Sequence, residues 1–336
     1  MKLAIIGIGC GALLACAGTG PAQARDGRCW SAQALAARHG EKAIRRSPYN
    51  RAIEPRGENV VLSPLPYSWR GSIRSVRLPK GLKLVALTFD LCSNAGEVSG
   101  YDGEIVDTLR RLGVKATFFP SGKWLIDHKE RAEQLIADPL FEVGSHSWTH
   151  RNFRLLEPSG AAADLALDLK ADAAIRRALN AKACYRPAAA AAHTALFRFP
   201  FGTCNAGTLA AVNDAGLLAI QWNVVSGDPS KTIRAEAMRQ DIVSRVKPGS
   251  IVVMHANGRG FHTAAALPLV IAGLRKRGFE FATVSELLAK GEPVIASTCY
   301  ERKPGDNARY DKLFPLEPRR KQHRRIQPKP RRRSAA

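Results

Sequence analysis

Two histidines four residues apart, His146 and His150, close the stretch from Phe141 to His150, FEVGSHSWTH, directly after an apolar run. Neutral imidazole nitrogens are good zinc ligands, and this spacing brings two rings together either on one face of a helix or at a tight turn leaving a strand. A bare HxxxH is also an ordinary surface or capping pattern, so the pair gains weight only from its surroundings. Polar residues recur at comparable places along the chain. Asp90 closes one apolar run, Arg198 and Phe201 bracket the end of another, and His255 closes a third.

For these groups to meet, the elements that carry them must run in parallel. From Gly81 onward short apolar runs alternate with helical periodicity. Strands are predicted at Lys83 to Phe89, Lys115 to Phe119, Phe141 to Gly144, Ala195 to Phe199, Leu217 to Trp222, Ser250 to Met254 and Phe279 to Thr283. Helices are predicted between them: one capped by Asp102 and running to Leu112, then Gly122 to Ala137, Ser159 to Leu179, Asn205 to Ala215, Ile233 to Val246, Thr263 to Arg277 and Val284 to Lys290. Such alternation implies a parallel sheet, and seven or eight repeats can close into a barrel. Asp90, His146, Arg198, Phe201 and His255 all follow C-terminal strand ends, which converge on the rim where barrel active sites are built.

The flanks differ in character. Residues 1–24 read as a signal peptide, with Lys2 at its start, an apolar core from Leu3 to Leu14 and a small-residue cleavage site at Ala22-Gln23-Ala24. Leu13-Leu14-Ala15-Cys16 loosely resembles a lipoprotein signal, although Leu14 is bulky for that motif. The expectation is an exported protein, periplasmic or secreted. Residues 25–80 form a basic arm packed on the main domain, with an alternating segment from Ser72 to Leu78 that fits an edge strand. Residues 293–317 lack periodicity and read as a wrap around the barrel of residues 81–292.

The formal charge of +22 invites a nucleic-acid reading, but it is concentrated in the flanks. Residues 25–80 carry twelve basic and four acidic side chains, and residues 318–336 carry nine basic and none acidic. The region between is close to neutral. The basic tail, 318–336, has almost no apolar content and is expected to be disordered, a solvated tail or a contact to an anionic envelope surface. No nucleic-acid partner is expected. Beyond the signal lie Cys29, Cys92, Cys184, Cys204 and Cys299, an odd number, so at least one is free, ligating or paired between chains.

The motifs LTFD (ending at Asp90), ATFF (ending at Phe119), GSHSWTH, RFPFG (Arg198 to Gly202), IQWNV (from Ile220) and IVVMH (ending at His255) occur in the order found in polysaccharide deacetylases. Residues 81–290 thus resemble a NodB-homology domain of carbohydrate esterase family four. The resemblance implies a distorted (β/α) barrel, here of about seven parallel strands, and a divalent metal, most often zinc. It implies removal of acetyl groups, usually N-acetyl, from a polysaccharide. Amide hydrolysis needs an activated water, a stabiliser for the oxyanion and an acid for the departing nitrogen, and a metal held by His146 and His150 serves the first two needs. By the same resemblance Asp90 is the base, His255 the acid, Arg198 the partner that orients Asp90, the Phe201 amide the oxyanion contact, and Trp222 part of the acetyl pocket.

Two departures from the family pattern stand out. The family's second aspartate, its third metal ligand, is here Leu91, which cannot ligate. Some relatives place that ligand one residue later, which is Cys92; but Cys204 follows RFPFG on the same rim, and a Cys92–Cys204 disulfide is the favoured expectation in an exported protein. Val225 stands where the family often has an aspartate supporting the arginine, and Asp228 either replaces it or caps a turn. The alternative to a working deacetylase is therefore an impaired, glycan-binding protein that keeps the fold.

Overall fold

The computed structural model describes residues 29–186 and 195–316. The predicted signal peptide and basic tail lie outside the described residues. Ten strands position the site: β1 Ser72–Arg77, β2 Leu84–Leu91, β3 Ala116–Pro120, β4 Phe141–Val143, β5 Leu196–Phe197, β6 Leu218–Ile220, β7 Val224–Val225, β8 Ser250–His255, β9 Glu280–Phe281 and β10 Glu292–Ala296. The principal helices are α1 Gly103–Leu112, α2 Gly122–Asp127, α3 Lys129–Ala137, α4 Pro158–Asn180, α5 Ala206–Asp214, α6 Ala235–Arg245, α7 Thr263–Lys276 and α8 Val284–Leu288. None of the described helices is long and apolar enough to cross a membrane.

The sheet runs β4-β3-β2-β8-β1-β6-β5, with β7, β9 and β10 paired to β8, β2 and β1 respectively. Most pairings are parallel, and the sheet curls until its two ends meet through one parallel bridge between Ser145 and Phe197. The α/β class and the distorted barrel of about seven mostly parallel strands are as expected.

Alternation along the strands divides the core into two layers. Val85, Leu87, Phe89 and Leu91 of β2 pack outward with Ile105, Val106 and Leu109 of α1 and Leu267 and Val270 of α7. Ala86 packs inward with Phe119, Leu196, Ile220, Ile251 and Val253. The same period turns Thr88 and Asp90 inward, and on β8 it turns His255 inward after Ile251 and Val253. Because β2 and β8 are parallel neighbours in register from Val85–Ser250 to Asp90–His255, the last pair sits side by side at the rim.

Several elements differ from the sequence expectation. Ser72–Arg77 is not at an edge: it lies between β8 and β6, and Ile73 and Val76 are buried in the inner layer. The helix expected over 122–137 is two helices. His128 breaks it with φ −125° and ψ 42°, and its Nε2 donates to the Ser99 carbonyl at 2.7 Å. Asp102 occupies the position before α1 but makes no capping bond. Residues after Lys290 are not wholly aperiodic, since β10 adds an antiparallel strand to β1.

The arm is held by the Cys29–Cys184 disulfide and by Arg131 of α3, which donates to the carbonyls of Ala34, Leu35 and Ala36 and pairs with Glu41 at 2.8 Å. Where β8 begins, Gly249 has φ 82°, and a Cβ there would lie 1.7 Å from the Val76 carbonyl oxygen. Gly249→Ala is therefore expected to destabilise the fold by more than about 1 kcal/mol, read as a lowered midpoint in urea with an unchanged slope.

Candidate active site

Arg198, which follows β5, is fully buried, and its guanidinium is placed by acceptors on two strands, β2 and β6. Nη1 donates to Asp90 Oδ1 and to Thr88 Oγ1, each at 2.8 Å, and Nε donates to the Ile220 carbonyl at 3.3 Å. The plane lies 4.1 Å from the centroid of Phe119. Thr88 Oγ1 in turn donates to the Val252 carbonyl at 2.6 Å, so its lone pairs face Arg198. Burial alone would push the Asp90 carboxyl up, but Arg198, with His146 and His255 nearby, outweighs it and holds the carboxyl below its ordinary range.

The GSHSWTH segment is a loop, so the helix-face alternative for the histidine pair does not apply. Ser147 and His150 both adopt left-handed backbone, φ 69° and 56°, which folds the loop back and brings the two rings to 4.9 Å. Non-glycine residues in this region carry strain that the surroundings must hold. Here the holders are on α4: Asp164 accepts from the Trp148 amide at 2.7 Å, and Asp168 bonds Ser145 Oγ. Burial pushes Asp164 up to about 6 and Asp168 well up. Trp148 Nε1 also donates to Tyr49 of the arm at 2.8 Å.

His146 Nδ1 lies 2.8 Å from the Arg198 carbonyl oxygen. A carbonyl only accepts, so Nδ1 carries the proton and Nε2 presents a lone pair. That Nε2 is buried without a hydrogen-bond partner. It belongs to the cluster Cys92, His146 and His150, whose ligand atoms all lie within 4.8 Å of one another. Burial lowers the affinity of both imidazoles for protons, His150 strongly, so both are neutral donors to a cation. An orphaned buried lone pair facing a thiol and a second imidazole fits a soft divalent metal such as zinc.

The expected Cys92–Cys204 disulfide does not form. Cys204 pairs with Cys299, and Cys92 is a buried free thiol. Cys204 is buried with Cys299 among Phe153, Phe197 and Leu209, whereas the strand period turns Leu91 outward beneath the helices and returns Cys92 to the side of Asp90. Asn257, directly after β8, holds it there, donating Nδ2 to the Cys92 carbonyl at 2.9 Å and to its sulfur at 3.0 Å. Burial, reinforced by the Asp90 carboxylate, pushes the thiol up to about 12.

His255 faces the mouth with its side chain about one-fifth exposed, and its Nδ1 donates to Asp228 Oδ1 at 2.9 Å. Asp228 is fully buried and also accepts from the His255 amide at 2.6 Å, Thr263 Oγ1 at 2.7 Å and Ser226 Oγ at 2.8 Å. Burial disfavours the imidazolium, but Asp228 overrides it and raises His255 above the ordinary imidazole value. Asp228 thus supports the histidine. It neither takes over the support of Arg198 nor serves merely as a turn cap, because its carboxylate is committed to His255 and Thr263.

Phe201 adopts left-handed backbone, φ 57°, beside His150, ring centroids 4.3 Å apart. Trp222 is buried next to Gly202, where a Cβ would meet the indole at 2.7 Å. The sequence-predicted residues therefore share one rim. Sequence reasoning missed Thr88, Asn257 and the α4 carboxylates as site supports. The spacing of Asp164, Asp168 and Asp172 by four on an Ala-rich helix was a readable sign of the last group.

Residues 77–220 match the family model described as polysaccharide deacetylase. A chitooligosaccharide deacetylase of Bradyrhizobium sp. is 30% identical over 222 residues, which cover 62% of this chain and 91% of the relative. A peptidoglycan-N-acetylglucosamine deacetylase of Listeria monocytogenes is 29% identical over 243 residues, 70% of this chain and 47% of the relative. The chain thus spans about half the length of that protein. Among solved structures, a CE4 family pseudoenzyme from Bacillus anthracis aligns with TM-score 0.54 and 26% identity over 69% of this chain and 71% of its own.

The state of Cys92 gives a direct test of the cluster. Zinc added to metal-free protein at pH 8 is expected to bind with one-to-one stoichiometry and release about one proton, read by a pH indicator, because the thiol must ionise to ligate. Cys92→Ser should abolish the proton release, and His146→Ala should abolish the binding. Proton release that persists in Cys92→Ser would remove the thiol from the ligand set.

Proposed function

Because the chain belongs to the polysaccharide deacetylase family, we propose that it hydrolyses N-acetyl groups on an amino-sugar polymer of the cell envelope or extracellular matrix. The observation that carries this reading is the side-by-side placement of Asp90 and His255 on β2 and β8, with opposite perturbations, next to the Cys92, His146 and His150 cluster. Two titratable groups whose environments drive them apart are the signature of an acid and a base at one site.

Asp90, kept anionic by Arg198, takes the proton of the attacking water. His255, kept protonated by Asp228, delivers a proton to the departing amine. Fixing Nδ1–H on Asp228 leaves Nε2 as the atom that faces the mouth and does this work. The Phe201 amide stabilises the oxyanion, and Trp222 lines the acetyl pocket. Cys92, His146 and His150 would hold a divalent metal, and their thiolate and imidazole donors suit zinc. When bound, it supplies Lewis acidity for the carbonyl and lowers the pKa of water. Asn257 fixes the sulfur for that role, and the Arg198 carbonyl fixes the His146 tautomer, as outer partners of metal ligands do.

Leu91 and the likeness to a pseudoenzyme favour the second reading, a glycan-binding protein without turnover. Cys92 weighs against it, since the position after Leu91 provides a third ligand. Export is supported by the Cys29–Cys184 and Cys204–Cys299 disulfides together with the signal-like residues 1–24. The tail, residues 318–336, has the charge to hold the protein on an anionic envelope surface.

Metal-loaded protein is expected to release acetate from acetylated chitooligosaccharides or peptidoglycan fragments, with kcat falling about 10²- to 10⁴-fold in Asp90→Asn and in His255→Ala. No release from either substrate class, with glycan binding retained, selects the second reading. The pH profile supplies an independent check. An acid with a raised pKa keeps its proton to higher pH, so activity falls only as pH rises through that value. Removing the Asp228 charge in Asp228→Asn should move this alkaline limb to lower pH, and an unmoved limb would assign the proton to another group.

A further inference from the structure

The segment after β10 plays no part in the chemistry above, yet it lies against the two loops that carry it. Cys299 is bonded to Cys204, immediately after RFPFG. Asn307, fully buried, donates to the Gly202 carbonyl at 2.5 Å. Arg154, four residues after His150, donates through Nε to both carboxylate oxygens of Asp311 at 3.0 and 2.9 Å. The segment is thus pinned to both sides of the rim.

What it delivers there is carbon surface. Phe314 stacks on Phe201 with centroids 4.2 Å apart and planes 13° apart, and Tyr310 lies 5.7 Å from the same ring. Phe201 in turn packs on His150 at 4.3 Å. A continuous run of rings therefore leads from the histidine cluster to the outside, where Phe314 is 42% and Leu313 61% exposed. Exposed apolar side chains that continue a catalytic cleft mark a ligand-binding surface. A pyranose presents an apolar C–H face bordered by hydroxyls, which complements a flat ring with a polar surround.

We propose that Tyr310 and Phe314 form an aromatic subsite for a sugar ring neighbouring the one that loses its acetyl group, so that the segment after the barrel makes the protein select polymers over short fragments. This rests on the deacetylase reading. Its geometry favours it because the rings are fixed by the disulfide and by Asp311 before substrate arrives, which lowers the ordering cost of binding.

The test compares full-length protein with Phe314→Ala and Phe314→Tyr on N-acetylglucosamine dimers and tetramers. In Phe314→Ala the ratio of kcat/KM for tetramer over dimer should fall about five- to tenfold, the scale of one aromatic contact, and Phe314→Tyr should retain it. A ratio unchanged in Phe314→Ala, or lost equally in Phe314→Tyr, overturns the subsite. If the unmodified protein releases no acetate, the deacetylase reading falls by itself. The subsite is then read by calorimetric titration of the unmodified protein with the tetramer. Weaker binding in Phe314→Ala supports it, and equal binding in the two, or no binding by the unmodified protein, overturns it.

Discussion

The structure depends on one buried charge. Arg198 sits inside the barrel with no exposure to water, and a guanidinium there is tolerated only if its charge and its donors are matched. Asp90 supplies the charge, while Thr88 and the Ile220 carbonyl take further donors. Those partners come from β2 and from the end of β6, so the arginine fixes the relative height of strands on opposite sides of the barrel. Leaving Asp90 without Arg198, or Arg198 without Asp90, would strand a charge in a low-dielectric interior, a loss of roughly 3–5 kcal/mol.

Around that pair the remaining groups are arranged by charge state. The Asp90 carboxyl is held below its ordinary range and the His255 imidazole above its own, each by a fully buried partner of opposite sign. The cluster beside them is the reverse: His146, His150 and the Cys92 thiol are all pushed by burial toward their neutral forms. A site of this kind carries little charge of its own and gains it when a cation arrives, which couples metal binding to proton release.

The supports come from outside the strands that carry the chemistry. The strained GSHSWTH loop leans on α4 through Asp164 and Asp168 and on the arm through Tyr49. The RFPFG loop is stapled to the segment after β10 by Cys204–Cys299 and Asn307. Left-handed backbone at Ser147, His150 and Phe201 is concentrated at the site, where neighbouring packing can hold it.

The sequence by itself determined the alternation of strands and helices from Gly81 onward and singled out Asp90, His146, His150, Arg198, Phe201, Trp222 and His255 as candidates. These follow from local periodicity and from motifs a few residues long, which report on backbone neighbours. Only the tertiary structure decided what each group touches. It gave Cys204 to Cys299 and so left Cys92 free beside the histidines, turned Leu91 into the outer layer, assigned Asp228 to His255, and placed Ser72–Arg77 inside the sheet. Each of these joins residues far apart in the chain, where many partners are compatible with the sequence. The choice among them is made by packing, which settles which side chains reach one another.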